Sequence, residues 1–233
     1  MVRWAVLLAV KPLPLAKSRL DRADRSQLTL AMAADTAAAA ALVAAVELVM
    51  VVTDDADARA MLEPFAVVVP DAPNDGLNPA LLHAAAEANR RWPHAGVVVL
   101  AADLPALRPE ALAAALELAS RHPRAVVADA MGTGTVLLSA AAGITLEPSF
   151  GPGSRQRHLD TGVVDLTDSL PPGDATEGLR HDVDTNADLE VAIRLGVGPR
   201  TAHVLAQDLQ FTLGWQNAPV TERALSPDAS PQK

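Results

Sequence analysis

Cysteine is absent from this chain of 233 residues. The protein can therefore form no disulfide bond, hold no cysteine-ligated metal or cluster, and use no thiolate nucleophile. Aromatic residues make up only 3% of the chain, although half of it is hydrophobic, chiefly Ala, Val and Leu. This composition is typical of alanine-rich helices packed on valine-rich strands, and it indicates an α/β fold.

Positive charge and long apolar runs are also scarce. The chain has 19 Lys and Arg against 28 Asp and Glu, a formal net charge of -9. Nucleic-acid and anionic-membrane surfaces need an extended basic field, so neither partner is expected. The Ala-rich stretch 31–46 contains Asp35 and Thr36 and is shorter than the roughly 20 apolar residues of a membrane span. The apolar start runs into Lys11 and Pro12, which predicts a first strand rather than a signal peptide. We expect a soluble, cytoplasmic protein.

Short apolar runs alternate with longer helical patterns along most of the chain. This alternation predicts βαβ units around a mostly parallel sheet, with strands buried on both faces. The predicted strands are 4–10, 46–53, 66–70, 96–102 and 125–130, and the predicted helices are 25–45, 57–63, 79–91 and 109–121. A last helix is expected to include 199–207. We predict a single domain over 1–208 and a loosely ordered polar tail over 209–233.

Acidic residues stand at two places where a metal site is expected. Asp103 directly follows a predicted strand, and Asp182 and Asp184 lie two apart in LRHDVDT. Ligands of open α/β sheets bind beyond the carboxyl ends of the strands, and Mg²⁺ takes carboxylate and phosphate oxygens. These three acids therefore predict a magnesium site for phosphate chemistry. The alternatives are that Asp103 is a turn residue and that Asp184 and Thr185 only begin a helix, with Asp188 completing a capping box.

The loop after the first predicted strand, AVKPLPLAKSRL, carries Lys11, Lys17 and Arg19. Lysine acts as a point charge on phosphate and arginine as a bidentate fork, so these cations suit a nucleoside triphosphate. The pattern of a P-loop is absent. A solvated basic loop with no ligand is the alternative.

Small and hydroxyl residues form a third group of candidates. Thr135 begins a predicted strand after MGTG, and Gly151 and Ser154 precede a short predicted helix, where free N–H groups bind anions. The alternatives are an ordinary strand threonine and a helix-capping serine. A further loop could contact a base or ribose, although such residues are common in any turn. It contains Asn74, Asp75, Gly76 and Asn78.

Five segments together resemble the phosphoenolpyruvate or 2-phospholactate guanylyltransferase family of coenzyme F-420 biosynthesis, over about residues 4–207. They are AVKPLPLAKSRL, VVVLAADLPAL, MGTGTVLLS, SFGPGS and LRHDVDTNADL. The resemblance implies a fold like that of the nucleotide-diphospho-sugar transferases. It also implies the use of GTP and Mg²⁺ to convert a phosphorylated three-carbon acid into a guanylyl diphosphate ester.

The resemblance also implies residue roles. Asp103, Asp182 and Asp184 match the metal-binding and catalytic acids of the family, and Thr135, Gly151 and Ser154 match positions that contact phosphoenolpyruvate. Lys11, Lys17 and Arg19 match its nucleotide loop. The Ala- and Pro-rich, Cys-free composition resembles that of an actinobacterial type of this family, which implies phosphoenolpyruvate as the acceptor. The alternatives 2-phospholactate and 3-phosphoglycerate, other triphosphates than GTP, and the oligomeric state stay open. The rival hypotheses are a sugar-phosphate or molybdopterin-type nucleotidyltransferase and a catalytically silent nucleotide-binding regulator.

Overall fold

A computed structural model describes residues 2–10, 20, 22–72 and 74–216, with side chains up to 207. Lys11, Lys17 and Arg19, predicted to bind the nucleotide, lie outside the described residues. The described part contains the strands β1 (Trp4–Ala9), β2 (Val46–Val52), β3 (Val67–Val69), β4 (Gly96–Leu100), β5 (Arg124–Ala128), β6 (Thr135–Ala140) and β7 (Val164–Asp165). Its α-helices are α1 (Arg25–Ala41), α2 (Ala56–Leu62), α3 (Leu77–Arg91), α4 (Pro109–Ala119), α5 (Ser154–Leu159), α6 (Asp174–Arg180), α7 (Asn186–Leu195) and α8 (Pro199–Gln216).

The strands form one sheet in the order β3-β2-β1-β4-β6-β5-β7. Strand β6 runs antiparallel to both β4 and β5, and the other pairings are parallel. The predicted α/β fold with a mostly parallel sheet is therefore confirmed. Because β1 is parallel to both of its neighbours, β2 and β4, the carboxyl ends of these three strands lie at the same edge of the sheet.

Both faces of the sheet are buried, as the uniformly apolar strands predicted. Along β1, Val6 and Leu8 pack into a core with α1, α2 and α4, whereas Ala5 and Leu7 pack on the opposite face against α3. Alternate side chains of a strand point to opposite faces, so each strand supplies both layers. A third cluster joins Met32, Ala106, Val183 and Leu189 under the segment that carries the predicted metal-binding acids.

Two polar residues in the Ala-rich helix α1 have structural partners. The Asp35 carboxylate accepts hydrogen bonds from the backbone N–H groups of Arg200 (3.2 Å) and Thr201 (2.8 Å) at the start of α8. The Thr36 hydroxyl donates to the Met32 carbonyl at 2.9 Å. Helix α1 is thus a buried helix that anchors α8. Within the described residues, no helix is both long enough and apolar enough to cross a membrane.

Several boundaries differ from the sequence prediction. Helix α1 ends at Ala41 instead of 45, because the chain turns there to enter β2. Helix α6 was not predicted, since its sequence DATEGLR has few apolar residues to mark a buried face. Helix α8 continues past 207 to Gln216. Residue 208 lies within this helix, and the division into a domain over 1–208 and a tail over 209–233 stays a prediction.

Candidate active site

A cleft of about 810 Å³ opens at the carboxyl ends of β1 and β4. Six of the residues predicted from the sequence to bind metal or substrate line it: Asp103, Asp182, Asp184, Thr135, Gly151 and Ser154. Ala9 and Val10, at the end of β1, also line it and directly precede Lys11 in the sequence. The structure thus brings the two acidic segments and the glycine-rich segments of the sequence to one place.

Asp103 lies in a turn that is fixed on several sides. The Leu104 N–H donates to the Thr36 hydroxyl at 3.2 Å, and the Asp103 carbonyl accepts from the Val183 N–H at 3.1 Å. A Cβ atom at Gly178 would overlap the Ala106 carbonyl, so glycine there allows α6 to pack closely against the turn. These contacts show that the strand-end aspartate is held in a defined position.

Asp182 lies on an extended segment between the Asp103 turn and the loop that follows β5. On one side, the Val183 N–H donates a hydrogen bond to the Asp103 carbonyl. On the other, the Ala130 N–H donates to the Arg180 carbonyl at 2.7 Å, and the Arg180 guanidinium donates to the carbonyls of Ala128 (3.0 Å) and Asp129 (2.8 Å). The segment is therefore held on both sides, and Asp182 within it is half-buried.

The electrostatics of Asp182 reflect this crowding. Burial raises the pKa of Asp182 to about 7, with further contributions from the negative charges of Asp103, Asp184 and Asp129. A like charge nearby disfavours ionisation of a carboxyl group, and a cation relieves the repulsion. Among the described residues, no group of three or more His, Asp or Glu side chains is arranged to hold a metal ion.

Asp129 is a cleft residue that the sequence analysis missed. Its carboxylate accepts hydrogen bonds from the backbone N–H groups of Thr133 and Gly134, each at 2.9 Å, and so shapes the loop of MGTGT. Arg155 holds the same loop from outside, since its guanidinium donates to the Gly132 carbonyl at 3.0 Å and pairs with Asp165. Asp129 directly follows β5, the same signal that identified Asp103, but the predicted strand 125–130 ran past it.

The capping arrangement predicted at Thr185 is confirmed. The Thr185 hydroxyl accepts from the Asp188 N–H at 3.3 Å, while the Asp188 carboxylate accepts from the Thr185 N–H at 2.8 Å, a capping box at the start of α7. Capping therefore accounts for Thr185 and Asp188. It leaves Asp182 and Asp184 in the extended segment before the helix, where both line the cleft.

Gly151 lies in the loop before helix α5, and Ser154 lies in the first turn of that helix. Gly151 and Gly153 both have positive φ values, 124° and 70°, which favour glycine. The residue that caps α5 is Gly153, so the alternative of Ser154 as the capping residue is wrong. Ser154 is instead the first residue of the helix, and it is buried beside the cleft.

Thr135, the first residue of β6, forms a hydrogen bond with a histidine that was not predicted from the sequence. Its hydroxyl lies 3.0 Å from Nδ1 of the fully buried His158, whose Nε2 accepts the Ser149 N–H at 2.8 Å. The Phe150 ring packs edge-on against the imidazole, with the ring centres 5.1 Å apart. Burial, and to a lesser extent the charge of Arg157, lowers the pKa of His158 to about 4.

The loop proposed to contact a base or ribose contributes to the cleft indirectly. The Asn78 side chain donates to the Phe150 carbonyl at 3.2 Å and accepts from the Phe150 N–H at 2.8 Å. Both polar atoms of this amide therefore hold the SFGPGS segment against α3. Leu77 and Leu81 of α3 line the cleft. A role of Asn74, Asp75 and Gly76 in base or ribose binding stays a prediction.

Comparison with known proteins agrees with this arrangement. The family model of the MobA-like NTP transferase domain matches residues 18–157. A phosphoenolpyruvate guanylyltransferase of Frankia casuarinae is 51% identical over 88% of this chain and 77% of its own length. One from Thermomonospora curvata is 48% identical over 91% of this chain and 92% of its own. A solved structure from Desulfovibrio desulfuricans G20, classed with the nucleotide-diphospho-sugar transferases, superposes with a TM-score of 0.64. It is 19% identical and covers 92% of this chain and 99% of its own.

The solved structure is too distant in sequence to show more than a shared fold. The curated relatives are much closer, and the alignments cover most of both chains. Their matched length includes both acidic segments and the glycine-rich loops that line the cleft. The chain therefore belongs to the phosphoenolpyruvate guanylyltransferase family and is a nucleotidyltransferase with the MobA-like domain.

Proposed function

We propose that this enzyme transfers GMP from GTP to the phosphate of phosphoenolpyruvate, giving enolpyruvyl-2-diphospho-5'-guanosine and pyrophosphate, a step of coenzyme F-420 biosynthesis. The observation that carries the proposal is that one cleft is lined both by Asp103, Asp182 and Asp184 and by Thr135, Gly151 and Ser154. The names of the curated relatives support the choice of substrates. The family resemblance assigns Asp103, Asp182 and Asp184 to the metal. It assigns Thr135, Gly151 and Ser154 to the acceptor acid.

We assign Asp103, Asp182 and Asp184 to Mg²⁺. Mg²⁺ in proteins is usually held by one or two carboxylates, with substrate phosphates and water filling the other positions. The site thus needs no complete cage of protein ligands. The raised pKa of Asp182 supports the assignment, because a half-buried carboxylate next to other negative charges is stabilised by a cation. When bound, Mg²⁺ would neutralise charge on the phosphates of GTP and help to align them.

The chemistry needs little from the protein besides positioning. An oxygen of the acceptor phosphate forms a bond to the α-phosphorus of GTP. The bond from that phosphorus to the oxygen bridging the β-phosphate breaks, and pyrophosphate leaves with the electron pair. The second pKa of a phosphate monoester is about 6, so the nucleophile is largely dianionic at neutral pH and needs no general base. The obstacle is repulsion between two polyanions.

The residues divide between the two substrates in this proposal. Thr135, Gly151 and Ser154 hold the acid, while Lys11, Lys17 and Arg19 hold the triphosphate. Support comes from Ala9 and Val10, which line the cleft and directly precede Lys11 in the sequence. We expect Ser154→Ala to raise KM for the acid more than KM for GTP, and Lys17→Ala to do the reverse. Equal effects of either variant on both substrates would contradict this division.

The decisive experiment is mass spectrometry of the products formed from GTP and Mg²⁺ with each candidate acid in turn. We expect pyrophosphate release and the guanylyl diphosphate ester with phosphoenolpyruvate. Efficient use of 2-phospholactate or 3-phosphoglycerate without phosphoenolpyruvate would overturn the choice of acceptor but keep the reaction type. Product with a sugar phosphate alone would favour the rival nucleotidyltransferases, and no turnover with any acceptor would favour the silent regulator.

The stereochemistry at the α-phosphorus separates direct transfer from a covalent mechanism. GTP made chiral at that phosphorus by one sulfur atom should give inverted product, because a single in-line displacement inverts the centre. Retention would require two displacements, and hence a covalent guanylyl-enzyme, which the proposal excludes.

A further inference from the structure

His158 contacts both of the segments that carry the residues proposed to bind the acceptor acid. It belongs to α5, and its side chain is fully buried. One ring nitrogen, Nδ1, is 3.0 Å from the hydroxyl of Thr135 at the start of β6. The other, Nε2, is 2.8 Å from the backbone nitrogen of Ser149, which begins the SFGPGS segment.

The contact with Ser149 determines the position of the imidazole proton. A backbone N–H can only donate, so Nε2 must be the acceptor and carries no proton. In a neutral imidazole the proton then lies on Nδ1 and is donated to the Thr135 oxygen. With that oxygen acting as the acceptor, the hydroxyl keeps its own hydrogen for another partner. Thr135 lines the cleft, so an anionic ligand oxygen there can receive it.

We propose that His158 is a positioning residue that presents the Thr135 hydroxyl as a hydrogen-bond donor to the bound acid, with the proton of its ring placed on Nδ1 by the contact of Nε2 with Ser149. The inference rests on the proposed function, in which Thr135, Gly151 and Ser154 hold the acid. A free threonine hydroxyl rotates and can donate or accept. Donation from Nδ1 removes that ambiguity and orients the hydroxyl toward a carboxylate or phosphate oxygen before the substrate binds.

The surroundings of His158 keep this arrangement constant. Protonation of Nε2 would direct an N–H group at the N–H of Ser149 and break that hydrogen bond. The buried position disfavours the charged ring, and so does Arg157, which lies next to it in α5. The Phe150 ring lies edge-on against the imidazole and limits its rotation. With both nitrogens engaged and no exposed surface, His158 acts through Thr135 and does not touch the substrate.

Two substitutions separate the functions of the two ring nitrogens. In His158→Asn the amide can donate to Thr135 from near the position of Nδ1, whereas in His158→Gln it can accept the Ser149 N–H from near the position of Nε2. We expect His158→Asn to leave KM for the acid within about threefold, and His158→Gln to raise it about tenfold or more, the loss of one oriented hydrogen bond to a charged group. KM for GTP should change little in either variant. His94→Gln, an exposed position between α3 and β4, is the matched control.

A double-mutant cycle with Thr135→Val tests whether His158 acts through the threonine. If it does, His158→Gln should add little to the effect of Thr135→Val on KM for the acid. The positioning role would be overturned if His158→Gln and Thr135→Val raised KM for the acid by independent factors that multiply in the double variant. Equal effects of His158→Asn and His158→Gln would overturn it as well. An unchanged KM for the acid in Thr135→Val alone would instead refute the assignment of Thr135 to the acid. Failure of the proposed function is thereby distinguished from failure of the role of His158.

The tautomer can be measured without substitution or turnover. In wild-type protein with ¹⁵N-labelled histidine, the ¹⁵N chemical shifts of His158 should show a protonated Nδ1 and an unprotonated Nε2 at neutral pH. This result is independent of whether the variants fold. Protonation of Nε2 in the folded, ligand-free protein would remove the physical basis of the inference.

Discussion

Asp182→Asn should make the metal-free protein more stable while removing most of its activity. The carboxyl group is half-buried and faces the charges of Asp103, Asp184 and Asp129, and burial with this repulsion raises its pKa to about 7. A group whose pKa is higher in the folded state favours folding most at low pH, below its ordinary value of 3.8. That contribution is lost progressively as the pH rises through about 7. At pH 8 the ionised carboxylate therefore opposes folding, and the amide does not.

The size of the effect follows from the change in pKa. Each pKa unit corresponds to about 1.4 kcal/mol, so a rise from 3.8 to about 7 sets an upper limit of about 4 kcal/mol. The carboxylate is partly exposed, and solvent and salt screen its neighbours, so we expect a gain of about 1–3 kcal/mol. For a protein of this size that is a rise in Tm of roughly 2–12 °C.

The assay is thermal unfolding with a metal chelator at pH 8 and at pH 5. We expect Asp182→Asn to exceed wild type in Tm at pH 8, with a smaller difference at pH 5. Glu190→Gln removes the same charge from the exposed surface of α7, at a residue that does not contribute to the raised pKa of Asp182, and should show neither effect. Mg²⁺ should raise the Tm of wild type more than that of Asp182→Asn. A variant less stable than wild type at pH 8 would refute the argument that the acids repel one another.

Three further outcomes follow from other contacts. Asp184→Asn keeps the shape of the side chain but removes its charge, so we expect a loss of turnover of about 100-fold or more with little change in Tm; near-normal kcat would reduce Asp184 to a residue that precedes a helix. Gly178→Ala should lower the free energy of unfolding by about 1–3 kcal/mol, because its methyl group overlaps the Ala106 carbonyl; an unchanged urea midpoint would show that α6 can move away. The lowered pKa of His158 means that stability present above its ordinary value of 6.5 is lost as the pH falls toward about 4. Urea unfolding should therefore show about 2–3 kcal/mol more loss over this range in wild type than in His158→Asn, and equal loss would place the titration elsewhere.

Much of the site could be predicted because it follows from local rules. Asp103 follows a strand whose five residues are all buried, and the carboxyl end of such a strand faces the ligand crevice of an open sheet. The segment with Asp182 and Asp184 was predicted because two aspartates stand two residues apart, and because the capping box of Thr185 and Asp188 does not account for Asp182. In both cases the sequence pattern and the structural reason lie within a few residues of each other.

The missed residues depend on contacts that no local pattern records. His158 acts on Thr135, which is 23 positions away, and on Ser149, which is nine away, and it stands in a six-residue helix without ligand spacing. Asp129 was concealed for a different reason. Strand β5 ends at Ala128, one residue before it, and an error of two residues in a predicted boundary turns a strand-end acid into an interior one.

In the proposed chemistry the residues of the cleft have two tasks. Carboxylates that repel one another are suited to bind a cation, which in the proposal neutralises charge on the triphosphate. The residues assigned to the acceptor acid are uncharged: the hydroxyls of Thr135 and Ser154 and the backbone at Gly151. A lysine bound directly to the attacking phosphate would stabilise its negative charge and weaken it as a nucleophile. Neutral donors orient the same phosphate with less loss of reactivity, and a histidine kept uncharged by burial is a suitable support for them.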